Sequence, residues 1–252
     1  MCIRDRSNAN TLLYANYGKG YRNGGFNPQV TPVFNRGFEP EYSDNYELGI
    51  KTSHWGDRFI LNGSVFFGEY ENRQQLTYFG EFFIPGNYNY EESRISGFEI
   101  DSKTRLSKYL DVLFSYGQVK STIEKGGSTG GANGNETNLD NFNGNNTSLV
   151  PQNNFNLGLS SSIPLNEQSK LDFFVNYNGT GKIYWTDGNE TGFTSDAYQL
   201  LDLQASYTNN NFKITLWAKN MLDQQYYLEY VDYGIGWRGT PATIGTNLSF
   251  NF

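Results

Sequence analysis

Few residues in this 252-residue chain could perform acid–base, nucleophilic or metal chemistry. There is one histidine, His54, and one cysteine, Cys2. A Ser–His–acid site needs the imidazole between a nucleophile and an orienting carboxylate, but His54 lies beside Trp55 in a stretch that reads as a tight surface turn. A structural zinc site needs about four Cys/His donors, which two such residues do not supply. Glu39 with Glu41, and Glu91 with Glu92, pair carboxylates that could hold a hard cation; solvated loop charge is the plainer reading. The glycine-rich stretch 126–131 is not a phosphate loop, because no strand-to-helix context and no Lys-Ser/Thr follow it. The expectation is therefore no catalysis, no metal and no cofactor. Binding is the chemistry left: Arg22, Tyr78, Phe79, Tyr88, Tyr90, Tyr184, Trp185, Tyr230, Trp237 and Arg238 place rings and guanidinium groups in long connections. Rings and guanidinium groups together suit a large, partly aromatic or anionic ligand. The plainer use of any one of these rings is anchoring or loop packing.

The elements that position these residues follow from a period of two. Phe59, Leu61, Gly63, Val65 and Phe67 oppose Asn62, Ser64 and Gly68. The same alternation starts at Leu110, Phe155, Leu171, Leu201 and Phe212, recurs over Ile244 to Phe252, and is weaker near Leu12, Tyr46 and Ile95. Alternation of this kind predicts about ten half-buried strands. Connections near 52–58, 103–109, 164–169 and 208–211 are short, whereas those near 22–41, 71–93, 120–150, 180–197 and 221–241 are long. Short and long alternate, so every long loop leaves from one rim. A membrane β-barrel has that asymmetry; a soluble sandwich has no reason for it.

Composition agrees. Only 37% of residues are hydrophobic, yet 17% are aromatic, through 19 Tyr, 19 Phe and 4 Trp. A barrel wall needs apolar side chains on alternate positions only, with rings at the interfaces. No run reaches the roughly 18–20 apolar residues of a membrane helix, and a net charge of −7 disfavours nucleic acid. Polar residues of the other alternate set, Lys51, Asn62, Glu99, Asp101, Asn176 and Asp202 among them, are expected to line the lumen and meet whatever fills it.

Several stretches resemble the C-terminal part of TonB-dependent outer-membrane receptors. They are Gly20-Tyr21-Arg22-Asn23-Gly24-Gly25-Phe26-Asn27, and Pro40-Glu41 followed by Asn45-Tyr46-Glu47-Leu48-Gly49-Ile50-Lys51. Asn62, Phe66, Tyr70, Asn72 and Gln74 match the next strand, and Gly97-Phe98-Glu99 the one after. Asn220-Met221-Leu222-Asp223 with Tyr226 is similar to an Asn-Leu-x-Asp-x-x-Tyr motif, with Met for Leu. Gly239-Thr240-Pro241-Ala242-Thr243-Ile244-Gly245 is similar to Gly-x-Pro-Arg-Thr-Tyr-Gly, with Ala242 and Ile244 departing from it.

The resemblance implies an all-β fold: about ten C-terminal strands of a 22-stranded transmembrane antiparallel barrel in the bacterial outer membrane. It further implies a plug domain that is absent here, energy delivered by TonB through that plug, recognition of Phe252 by the barrel-assembly machinery, and uptake of a ferric siderophore or similar scarce nutrient. Residues 7–252 are then the barrel portion. Residues 1–6, Met1-Cys2-Ile3-Arg4-Asp5-Arg6, read as translated sequencing adaptor foreign to the gene; without them the formal charge is −8, because Arg4, Asp5 and Arg6 contribute +1. The competing reading is a self-contained small outer-membrane barrel acting as an adhesin or hydrolase.

Overall fold

The computed structural model describes residues 2–8, 10–28, 37–79, 84–130, 136–231 and 235–250. Eleven strands form one antiparallel sheet in chain order: β1 (Cys2–Asn8), β2 (Thr11–Arg22), β3 (Glu41–His54), β4 (Phe59–Phe79), β5 (Ile84–Ser107), β6 (Leu110–Lys125), β7 (Asn153–Pro164), β8 (Ser169–Thr180), β9 (Tyr198–Asn209), β10 (Phe212–Lys219) and β11 (Thr243–Phe250). Among the described residues no pairing joins β1 to β11, so the sheet is an open wall. Ten strands correspond to the alternating segments. The eleventh, β1, lies in the opening stretch and pairs Cys2 with Asn16 through Arg6 with Leu12. Phe252 lies outside the described residues.

Directly opposed residues share a face, and the register separates two surfaces. One carries Leu13, Leu48, Val65, Phe98, Phe114, Leu157, Val175, Leu203, Leu216 and Leu248. The other carries a polar row in which Lys51 opposes Asn62, Asn62 opposes Asp101, Asp101 opposes Ser115, Ser115 opposes Asn156 and Asn156 opposes Asn178. The apolar set is not folded into a core: Leu48 is 59% exposed, Leu216 55% and Ile244 76%. Buried hydrophobics among the described residues are only Tyr88, Tyr90, Ile123, Leu139 and Ile183. A contiguous apolar face of this size needs a non-aqueous neighbour, which excludes the soluble sandwich.

Rings bound the apolar band on both sides. Towards the long loops, Tyr17 packs on Tyr46 and Tyr46 near Phe67, at centroid separations of 5.0 and 6.3 Å, followed by Phe98 with Tyr116 and Phe155 with Tyr177. Towards the short turns, Trp55 meets Phe59, and Phe212 lies between Tyr207 and Phe250. From Phe59 to Phe67 the strand rises roughly 27 Å, or close to 20 Å of height at a 40° tilt, near the apolar band of about 25 Å in known barrels. Just beyond the upper rings the same face turns charged: Lys19 meets Asp44 at 3.5 Å, and Arg94 meets Glu92 at 2.8 Å and Glu69 at 3.1 Å.

One expected loop is strand. The connection near 71–93 continues the β4–β5 pairing from Phe59 opposite Thr104 to Phe79 opposite Ile84. Crossing a bilayer takes roughly ten residues, so about half of each 21- and 24-residue strand stands above the rings. The sequence there is polar (Glu69 to Gln75, Asn87 to Glu92) because this part of the ribbon meets water and neighbouring loops, which hides the strand from any hydrophobic periodicity.

Adjacent positions give a direct test of the two faces. Val65→Arg should destabilise the full-length barrel in phospholipid vesicles by about 2–4 kcal/mol, the cost of a cation on the lipid side near mid-membrane. Ser64→Arg, on the polar side, should cost well under half of that. Urea unfolding followed by Trp fluorescence reads both; equal costs would contradict the assignment of faces.

Candidate functional site

The long connections form a rim, and polar side chains fix it at three places. The first joins the 23–40 connection to the tall β4–β5 ribbon. Asn27 exchanges two bonds with the Asn87 backbone, donating from Nδ2 to the carbonyl at 2.9 Å and accepting from the N–H at 2.8 Å. Gln74 Nε2 donates to the carbonyls of Asn23 and Glu39, while its N–H donates to Glu41 at 2.8 Å. Asn89 Nδ2 donates to the carbonyls of Glu39 and Asn72. An amide side chain can donate and accept at once, so each of these residues replaces a strand partner for an irregular segment.

The second place is buried. The Asp187 carboxylate, in the 181–197 connection, accepts from the Tyr90 phenol at 2.8 Å, the Tyr88 phenol at 3.1 Å and the Ser148 N–H at 2.8 Å. The phenols are 2.9 Å apart. Asn145 donates to the Asp187 carbonyl, and Asn189 exchanges bonds with the backbone of Asn146. Ile123 and Leu139 complete this small core, with Phe142 packed against it and edge-on to Tyr90. Burial, reinforced by the Asp187 charge, pushes both phenols well above the ordinary tyrosine range, with Arg73 acting in the opposite sense on Tyr88.

The third place closes the last long loop at its base. Asn220 is buried, with a left-handed backbone (φ 48°) that asparagine tolerates. Its Nδ2 donates to the carbonyls of Gln224 and Thr240, its Oδ1 accepts from the Gln224 N–H, and its own N–H donates to Asp202 at 2.9 Å. Asp223 accepts from the Ala242 N–H at 2.9 Å. Tyr226 stacks on Tyr198 with ring centroids 4.6 Å apart. Residue 242 contributes its backbone here, which any residue but proline supplies; alanine at this motif position therefore keeps the clasp.

The expected binding residues divide between surface and interior. Arg22 ends β2 opposite Glu41, exposed. Tyr184 is half-buried under Lys182, whose Nζ stands 4.6 Å from the ring centre. Trp185 donates from its indole to Ser195 at 3.1 Å. Tyr230 packs edge-on against Phe193 at 5.6 Å, joining the last loop to the 181–197 connection. Trp237, 54% exposed, and Arg238 lie on the second strand of a ribbon pairing Tyr227–Val231 with Ile235–Arg238. Tyr88 and Tyr90 are interior, 9% and 1% exposed, and hold Asp187. The side chains of Tyr78 and Phe79 lie outside the described residues. The six expected lumen residues share one face of the wall, with Asn62 donating to Asp101 at 2.8 Å and Asn156 to Asn176 at 2.7 Å. His54 is bonded to Thr52 at 2.8 Å and stacked on Phe59. Asp187 escaped sequence reasoning because Thr186-Asp187-Gly188 reads as a turn and its phenol partners lie almost a hundred residues away; the one local signal is Tyr88-Asn89-Tyr90, a period of two persisting in a polar stretch.

A family model described as TonB dependent receptor-like, beta-barrel, matches residues 6–221. The chain belongs to the TonB-dependent receptor β-barrel family. Solved barrels share the fold. The ferric yersiniabactin uptake receptor FyuA from Yersinia pestis superposes with a TM-score of 0.80 at 18% identity, over 100% of this chain and 36% of its own. The ferric preacinetobactin receptor BauA from Acinetobacter baumannii gives 0.74 at 20%, over 100% and 36%. The copper transporter OprC gives 0.71 at 15%, over 100% and 38%. The chain thus spans little more than a third of the length of these solved structures.

Two outcomes follow from these contacts. Asn220→Ala leaves buried partners unsatisfied, and should cost about 1–3 kcal/mol, read as earlier proteolytic cleavage within 220–242. For the phenols the sign follows from linkage: the closed loops hold protons that free tyrosines release near pH 10, so their contribution is complete below that value and declines above it. Segments 139–152 and 181–197 should stay protease-resistant up to about pH 10 and open beyond it, with two phenols ionising late at 295 nm.

Proposed function

We propose that the chain is the C-terminal wall of an outer-membrane receptor that takes up a scarce nutrient, most often a ferric siderophore, with energy supplied through TonB. The observation that carries this reading is the two-sided wall itself. An apolar face between two rows of rings suits the membrane, and the opposite polar face suits a filled lumen. Residues 7–252 are read as the barrel portion and residues 1–6 as foreign. The lumen partner is a plug domain belonging to the same receptor, meeting Lys51, Asn62, Glu99, Asp101, Asn176 and Asp202. Phe252 is the terminal signal for the barrel-assembly machinery.

Capture is assigned to the rim residues that present surface: Arg22, Tyr184, Trp185, Tyr230, Trp237 and Arg238. Exposed rings beside guanidinium groups favour a flat, anionic chelate through stacking and charge-assisted bonds. FyuA and BauA, which share the fold, are ferric-siderophore receptors; OprC, with the same fold, is a copper transporter. The fold therefore does not choose the metal, and the rim must. No enzymatic role is assigned, because the one histidine, at the end of β3, is bonded to Thr52 and stacked on Phe59.

The test is uptake by iron-starved cells expressing the full-length receptor, offered catecholate, hydroxamate and phenolate chelates of ⁵⁵Fe, with a copper chelate as comparison. At least one iron chelate should accumulate, and accumulation should vanish in a tonB deletion. Trp237→Ala together with Arg238→Ala should weaken binding of that chelate about tenfold, near 1.4 kcal/mol. Uptake of copper alone would overturn the iron assignment, and uptake unaffected by loss of TonB would overturn the mechanism.

A further inference from the structure

We propose that the Asp187 carboxylate is a latch that makes the β4–β5 ribbon, the 139–152 segment and the 181–197 connection open and close as one unit. The two connections also meet directly, through the Leu149 N–H on the Tyr184 carbonyl, the Gln152 N–H on the Lys182 carbonyl and the Asn189–Asn146 exchange, so the part left to the carboxylate is to bind both of them to the phenols of β5. Segment 139–152 returns along the end of β6, where the Gly144 N–H donates to Ile123 and Thr147 bonds Ser121. Loop 181–197 closes on itself through Trp185 and Phe193. Asp187 reaches all three: both phenols come from β5, the Ser148 N–H and Asn145 side chain from one loop, and the carboxylate from the other.

The geometry also provides redundancy. Two phenols and one carboxylate oxygen form a triangle with edges of 2.8, 2.9 and 3.1 Å, but only two hydroxyl protons are available for the three contacts. Removing either hydroxyl leaves the other phenol able to donate to Asp187. Removing both leaves Oδ2 with neither phenol, in a site where Asp187 is 7% and Tyr90 1% exposed. The contribution of the pair is therefore larger than the sum of its single deletions. This inference stands whichever ligand the rim takes.

Amide hydrogen exchange on the full-length receptor in detergent micelles distinguishes a latch from local packing. Asp187→Ala should accelerate exchange at least tenfold, and together, in 86–91, 144–149 and 183–189, while β7, β8 and β9 keep their protection. Tyr88→Phe and Tyr90→Phe should each change exchange less than threefold, whereas the double variant should reproduce the tenfold effect. Acceleration confined to 183–189 would overturn the proposal, as would a double variant equal to the product of its singles. If Asp187→Ala fails to assemble, the tyrosine series decides, since its variants keep the carboxylate and the ring volumes.

Discussion

Everything in this structure depends on backbone pairing where water cannot compete for it. A polypeptide in hydrocarbon must satisfy each N–H and C=O within its own wall, and the antiparallel ladder from β1 to β11 does so for each interior strand. Once the ladder is fixed, period two decides the remainder: one residue meets the membrane and the next meets the lumen. Val65 and Ser64 are neighbours in sequence and face different solvents. The polar composition is thus no obstacle to membrane residence, because polarity is confined to one face.

This division was legible in the sequence wherever the wall is uniform. Ten of the eleven strands, the alternation of short and long connections, and the common face of Lys51, Asn62 and Asp101 all follow from spacing alone. The upper half of the β4–β5 ribbon was not legible, because outside the membrane neither face needs to be apolar and the pattern loses its period. Asp187 was hidden for another reason. Its value comes from Tyr88 and Tyr90, far away in sequence, and a lone Asp-Gly in a loop looks like turn chemistry. The exposed candidates, Trp237 and Arg238, could be named from residue type; which rings were interior could not, because composition does not distinguish a buried phenol from a displayed one.

The motifs carrying the family resemblance have a physical explanation that is mostly structural. Asn27 and Gln74 use side-chain amides to bind irregular backbone to the ribbon, and Asn220 with Asp223 ties the last loop together at its neck. Glu47 and Gly49, two residues of another motif, serve Tyr14: a Cβ at position 49 would lie 2.3 Å from the ring, and Glu47 accepts its phenol. Such residues hold the wall and its rim in shape.

The neck at 220–224 and 240–242 bears on how such a receptor changes over time. Because entry and exit are bonded to each other before the loop departs, the segment between them is mechanically insulated from β10 and β11. Loop length adds closure entropy only logarithmically, so the intervening chain can be lengthened, shortened or replaced while the strand register below is kept. The asparagine clasp makes that loop an exchangeable cassette on an unchanged wall.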